Sequence, residues 1–328
     1  MSTARRHVLA MRQVAATLAA IGCRGPQSAL DPAAEGATRI DSLFRVMAVG
    51  ALIVWVAMLV ITALAMREHP ESHGRRRHSL LIVIGGAVVP TGLLTALLVG
   101  GLAMLPSLVR AAPPGSLRVS VRGEQWWWRV RYLTRDGVAV DLANELHLPR
   151  GEVADLSLDS ADVIHSFWVP SLGGKLDMFP GRVTRLALRP TRDGAFRGAC
   201  AEYCGTAHAQ MSLYAVVEPR PAFDRWLAHQ ARPARDVESR GARLFLSYGC
   251  GACHSVRGTE ARGVIAPDLT HVASRRSIGA ATLASTRAHL ARWIAHTDEV
   301  KPGVAMPPFS MISSDEVDAI ASWLAGLR

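Results

Sequence analysis

Two long stretches without a charged residue constrain this chain more than any other feature. Val46–Met66 is 21 residues of mostly Ala, Val, Leu, Ile and Met, and Ser79–Val109 is 31 residues broken by Pro90 and Pro106. At about 1.5 Å per residue, a helix over the first covers roughly 30 Å, the thickness of a hydrocarbon core. The pair therefore reads as two membrane spans, about 44–66 and 80–105. Pro90 is tolerated as a kink, because neighbouring helices can satisfy the carbonyl it frees. The short connection carries Arg67, Arg75, Arg76 and Arg77, whereas the outer flanks offer chiefly Arg39, Arg45 and Arg110. By the positive-inside rule the connection is cytoplasmic, and everything after Arg110 lies outside the cytoplasm.

The remaining charge needs locating before it is used. The chain has 37 Lys+Arg against 27 Asp+Glu, a net +10, which invites a nucleic-acid reading. Residues 1–109 hold 10 basic and 5 acidic side chains, so half the excess sits at the N-terminus and between the apolar runs. No basic block with interleaved aromatics appears in the rest, and nucleic acid is excluded as a partner. Residues 1–23 form a leader: Arg5 and Arg6 precede the weakly apolar Val14–Ile21, which ends at Gly22-Cys23. That is the shape of a secretory signal. A small residue before Cys resembles the cleavage site of bacterial lipoproteins, which marks Cys23 as a candidate for lipidation, although Ala20 stands where that motif usually has Leu.

The other four cysteines form two local pairs, each followed by a histidine. Cys250-Gly-Ala-Cys253-His254 has the spacing of covalent c-type haem attachment, with His254 reaching the iron from one side. A zinc ribbon would need a second Cys-x2-Cys, and a thioredoxin-like pair would need a βαβ context. Met306 lies 52 residues after His254, in a Pro-flanked loop, and is the candidate second axial ligand; Met311 is its competitor. A thioether there raises the haem potential, as suits electron transfer. His271, His289 and His296 are expected on helix surfaces.

The second pair lies in Cys200-x3-Cys204-x3-His208-x2-Met211. Around it run short alternating segments, Leu117–Val121, Val153–Leu158, Val183–Leu188 and Met211–Val217, which argue for an antiparallel sandwich or small barrel. Thiolate, imidazole and thioether together select copper over hard cations. One Cys, one His and one Met, with His165 upstream, would make a mononuclear blue-copper site. The second Cys lets two thiolates bridge two coppers, each with its own His. A disulfide between Cys200 and Cys204 is the plain alternative, and it leaves His208 and Met211 unexplained.

These residues carry two resemblances. Residues 237–328 resemble class I cytochromes c, with Gly241–Leu246 as the first helix, Ser314–Leu327 as the last, opened by an N-cap Ser, and Ala266-Pro-Asp-Leu-Thr270 as the proximal loop. The resemblance implies that the Pro267 carbonyl orients His254. Residues 24–236 resemble subunit II of haem-copper cytochrome c oxidases, on the run Asp162–Asp177 with Phe179-Pro-Gly181. The whole chain resembles the caa3 type, in which a cytochrome c is fused to that subunit.

The resemblance implies a multi-domain membrane protein. It would have a leader (1–23), a transmembrane hairpin (24–110), an all-β cupredoxin-like CuA domain (111–218), a Pro/Arg-rich linker (219–236) and an all-α cytochrome c domain (237–328). His165, Cys200, Glu202, Cys204, His208 and Met211 would hold binuclear copper (CuA), Glu202 through its backbone carbonyl and with its carboxylate turned toward Mg²⁺ at the catalytic subunit. Cys250, Cys253, His254 and Met306 would hold haem c. In Gly123-Glu-Gln-Trp-Trp-Trp128, Trp126 would receive electrons from a docked cytochrome.

The implied function is an electron relay from cytochrome c or a bc1-type complex, through haem c and CuA, to subunit I, which reduces O₂ and pumps protons beside subunit III. Both soluble domains would lie on the periplasmic side of a bacterial inner membrane. Two other readings share these residues: the CuA subunit of a nitric oxide reductase, and a periplasmic copper-delivery protein. Gly205 after Cys204 speaks against the latter. Unlike many relatives, this chain has no acid nearer the second span than Glu71.

Overall fold

The computed structural model describes residues 25–67, 79–80, 82–133, 137, 139–235 and 238–328. The leader with Cys23, the arginines 75–77 and Glu71 lie outside the described residues.

One compact unit, Thr38–Arg110, holds the apolar runs. Helix α1 spans Glu35–Ala65, beginning well before the apolar run, with acidic Glu35 in its first turn, where the helix dipole favours it. A π-helical turn, Ile84–Val88, leads into α2, Val89–Leu108. Pro90 has no N–H to offer the carbonyl of Gly86, and the widened turn falls at that place in the chain. Large apolar side chains are exposed along both helices, Val46, Ile61, Leu94 and Leu102 among them. Helices this long, apolar on every face and unburied, fit lipid and not a protein core.

The other unit contains the sandwich and the haem-motif region. Strands β1 (Leu117–Glu124), β2 (Trp127–Leu133), β3 (Ala139–Ala143), β5 (Ala154–Ser160) and β8 (Thr184–Leu188) make one sheet, in the order β3-β2-β1-β5-β8. The second sheet is β4-β10-β9-β6-β7, from Glu145–Pro149, Ser212–Glu218, Gly194–Cys200, His165–Trp168 and Leu176–Met178. Period-2 patterning explains β5: Leu156 and Leu158 are buried, while Asp155 and Asp159 pair outside with Arg185 and Arg122. Strand β4 shows no alternation because every one of its residues is buried. Its His147 ring stacks on Trp226 at 3.7 Å between centroids.

Trp226 belongs to α3, Arg220–Gln230, in the segment expected to be a linker. The difference has a simple cause: Pro at the first helical turn and an apolar stripe, Phe223, Trp226 and Leu227, give that segment a face to bury against the sandwich.

The C-terminal part folds as α4 (Arg240–Ser247), α5 (Arg287–Ala295), α6 (Thr297–Val300) and α7 (Ser314–Leu324) around Phe245, Leu290, Ile294, Ile320 and Leu324. Ser239 caps α4 by accepting from the Ala242 N–H at 3.0 Å. The cap of α7 is Ser313, whose hydroxyl donates to the Glu316 carboxylate at 2.8 Å. Phe245 and Trp323 meet edge-to-face, 5.1 Å between centroids, where α4 crosses α7.

Candidate metal centres

The Cys-x3-Cys loop is positioned by the strands on either side of it. Strand β9 ends at Cys200 and β10 begins at Ser212, and the Cys200 N–H donates to Met211 O at 2.8 Å, closing the loop at its base. Register in the same sheet places Phe167 opposite Cys200, and Ala201 N–H donates to Ser166 O at 2.9 Å. These pairings bring His165, distant in sequence, to the loop. One ligand atom each from His165, Cys200 and Cys204 then lies within 4.8 Å of the others, all three residues buried.

Around this trio, His165 Nδ1 is 3.8 Å from Cys200 Sγ. His208 Nδ1 and Met211 Sδ are 3.5 and 3.8 Å from Cys204 Sγ. The Cys200 sulfur also approaches Glu202 O at 3.1 Å, while Glu202 itself is exposed. Both cysteines are free, so the disulfide alternative is not what the fold adopts.

Asp162, Gln125 and Gly123, none of them assigned a role from the sequence, orient this cluster together with Trp126. Asp162 Oδ1 holds His165 Nε2 at 2.8 Å, which turns Nδ1 toward the sulfurs. Gln125 Nε2 and Trp126 Nε1 both donate to Cys204 O, at 2.8 and 2.9 Å. Gly123 lies against the His165 ring, where a Cβ would come within 2.6 Å of Cδ2. Only Asp162, three residues before the histidine, leaves a sequence signal that could have been used.

The charge balance of the pair tests whether a metal fits. A hydrogen bond from Cys204, with help from His165 and the Ser166 and Glu202 backbone, pulls the Cys200 thiol far below its ordinary value. The thiolate so formed pushes Cys204 up. The pair thus ionises once by itself, and a second thiolate beside the first requires cationic charge between them. Soft sulfur donors with imidazole and thioether are the set that copper takes.

The Cys250–His254 motif opens on a 3₁₀ turn, Cys250–Ala252, at the edge of a cavity of about 380 Å³. Cys250, Cys253, His254, Pro267 and Met306 all line it. His254 Nδ1 lies 2.7 Å from Pro267 O, the partner that the resemblance implies; as the donor there, it leaves Nε2 with its lone pair. Burial pushes the His254 imidazole down, which keeps it neutral and able to ligate. The walls are largely apolar, with Leu290 and Ile294 among them, yet Ser277, whose buried hydroxyl has no partner among the described residues, and the half-buried Arg275 line it too. An apolar slot with a polar, cationic margin fits a porphyrin that bears carboxylates. Met311, by contrast, is 78% exposed and absent from this lining. His271 is buried and faces Arg232 O at 3.0 Å, so it is not the surface residue expected; His289 is exposed.

A cupredoxin-like sandwich with a buried His/Cys/Cys cluster is followed by a helical domain with a Cys-x2-Cys-His motif, and two long apolar helices stand before both in the chain. Residues 134–218 match the family described as cytochrome c oxidase subunit II, periplasmic domain, and residues 238–328 match cytochrome c. The cytochrome c oxidase subunit 2 of Alkalihalophilus pseudofirmus is 30% identical over 334 residues, covering 95% of this chain and 94% of that one. The alternative cytochrome c oxidase subunit 2 of Bradyrhizobium diazoefficiens is 33% identical over 191 residues, 50% of this chain and 68% of that one. A crystal structure of the periplasmic domain of subunit II of cytochrome oxidase from Bradyrhizobium japonicum is 30% identical, covering 36% of this chain and 96% of that one with a TM-score of 0.34. This chain belongs to the cytochrome c oxidase subunit 2 family, in the form that carries a C-terminal cytochrome c domain.

Proposed function

We propose that the chain relays electrons from a cytochrome donor, first into its C-terminal domain, then into the sandwich, and from there to subunit I of a proton-pumping O₂ reductase. The observation that carries this reading is the buried His165–Cys200–Cys204 cluster, with its ligand atoms within 4.8 Å of one another, in a chain whose relatives are oxidase subunits. Bound haem c and binuclear copper supply the one-electron redox chemistry.

The residues do the rest. Cys200, Cys204, His165, His208 and Met211, with the Glu202 carbonyl, would hold the copper pair. Asp162 holds His165 in one orientation. Cys250 and Cys253 would anchor the porphyrin through their sulfurs, and His254, oriented by Pro267, and Met306 would ligate its iron. Burial of His165, Cys200, Cys204 and Met211 excludes water from the copper centre, so little solvent reorganises there on a change of charge. The exposed Glu202 carboxylate is available to a hard cation, Mg²⁺ in this proposal, at the subunit I boundary. The two apolar helices act as membrane spans with the soluble part on the periplasmic side, and subunit III and the donor complete the assembly.

The test is spectroscopic. The purified assembly should show the copper EPR signal of a mixed-valence pair and a pyridine haemochrome of the c type. A copper signal from an isolated ion would refute the binuclear reading. O₂ consumption without NO consumption separates the oxidase from a nitric oxide reductase.

A further inference from the structure

Lys301 is 1% exposed, an unusual burial for a lysine, and it stands in the loop that leads from α6 to Met306. No carboxylate pairs with its ammonium among the described residues. Instead Nζ donates to three backbone carbonyls from three separate segments. They are Trp126 O at 2.6 Å, between β1 and β2; Gln210 O at 2.9 Å, in the copper loop; and Gly279 O at 3.2 Å, in the cytochrome part. Burial pushes the ammonium down, to about 7, against the opposing pull of Cys204, while three carbonyl acceptors favour its charged form.

The surrounding contacts run the same way. Gln210 Nε2 donates to Val300 O at 2.8 Å, and Ser212 N–H donates to Ala280 O at 3.2 Å. The Arg276 N–H donates to the Glu145 carboxylate. Gly303, at φ +86°, lies so close to the indole of Trp126 that a Cβ there would come within 3.1 Å of Cη2. The Met306 loop therefore rests on the Trp126 ring, whose other side holds the Cys204 carbonyl. Trp126 also lines the haem cavity.

We propose that Lys301 is the latch that locks the cytochrome domain onto the copper domain in a single docked orientation, with the Met306 loop seated on Trp126. This deepens the relay reading and rests on it. Transfer between the two domains then occurs at one fixed separation, and segment 219–236 is not a tether that sets an encounter rate. The surface at Trp126 is occupied by the chain's own cytochrome, so an external donor must dock on the cytochrome domain and not at Trp126. Lys301 is a positioning residue: it touches neither the proposed haem ligands nor the proposed copper ligands with its ammonium.

The test uses the whole oxidase, with Lys301→Met, which keeps the length and removes the charge and donors. Haem-to-copper transfer is followed after flash reduction, in buffers of rising viscosity, with both centres verified by their spectra. The unmodified chain should transfer in one phase, independent of viscosity. With the charged donor to three buried carbonyls removed, the expected result is a transfer slower by roughly tenfold or more, now viscosity-dependent because the domains must re-dock. A rate unchanged and still independent of viscosity, with both centres intact, overturns the latch and leaves the relay standing. If Lys301→Met does not assemble, Gln210→Ala, which deletes the bond to Val300, is measured by the same criteria. Absence of any haem-to-copper transfer in the unmodified chain, with both centres present, would overturn the relay and the latch together.

Discussion

Gly123→Ala is the sharpest probe of how the sandwich holds the copper ligands. Gly123 is in β1, paired with Trp128 across the sheet, and its α-carbon faces the His165 ring. A methyl placed there would lie 2.6 Å from Cδ2 and 2.9 Å from Cγ of that ring. Ordinary contact needs about 1 Å more, and the ring has no room to give it. Nε2 is held by Asp162 at 2.8 Å, Nδ1 faces Cys200, and Trp128 packs 6.2 Å away between centroids. The ring must therefore tilt or the strand must shift, at a cost of about 1–3 kcal/mol for overpacking. Tilting moves Nδ1 relative to the sulfurs, so stability and the copper site should change together. The expected outcome is a lower unfolding midpoint, together with altered copper hyperfine couplings in the EPR spectrum and weaker copper retention against a chelator. If Gly123→Ala left both the midpoint and the spectrum as they were, the close approach would not constrain His165 and the reasoning would fail.

Other expectations follow from single groups. Met306→Ala should lower the haem midpoint potential in a redox titration, because a thioether ligand raises it, whereas Met311→Ala, at an exposed position, should leave it unchanged. Tyr132→Phe removes a hydroxyl that donates to His147 O at 2.8 Å and accepts from the His147 N–H at 2.7 Å. Leaving that pair of buried backbone groups unsatisfied should cost about 1–3 kcal/mol in denaturant unfolding. His147 should make stability depend on pH. Although burial opposes it, hydrogen bonds to Glu145 and Glu218 raise the imidazole above its ordinary value in the folded state. Its contribution is therefore complete below the unfolded pKa of about 6.5 and is lost as pH rises through the raised folded value. Unfolding measured across that window should show this loss, and His147→Gln should flatten it.

Much of the fold was legible because it rests on local periodicity. The alternation of Leu156 and Leu158 with Asp155 and Asp159 identifies β5, and the uncharged runs identify both long helices. Strand β4 was illegible, since Glu145-Leu-His-Leu-Pro149 is buried on every side and carries no alternation. The helix at Arg220–Gln230 was hidden behind two prolines, and its apolar stripe makes sense only once β4 stands beneath it. His271 read as a surface residue because nothing nearby in sequence announces that Arg232 O will cover it.

The sequence alone determined which atoms are available: two pairs of thiols at loop spacings, the histidines and methionines that follow them, and enough uncharged length to cross a membrane twice. Ligand chemistry depends on residue type and short spacing, so it survives in a linear reading. Only the tertiary structure decided that Asp162 aims His165, that Gly123 leaves space for its ring, and that Lys301 reaches three carbonyls from distant segments. Those relations depend on strand register and on two domains meeting, and register and docking are set by burial across the whole molecule, which no local window of residues contains.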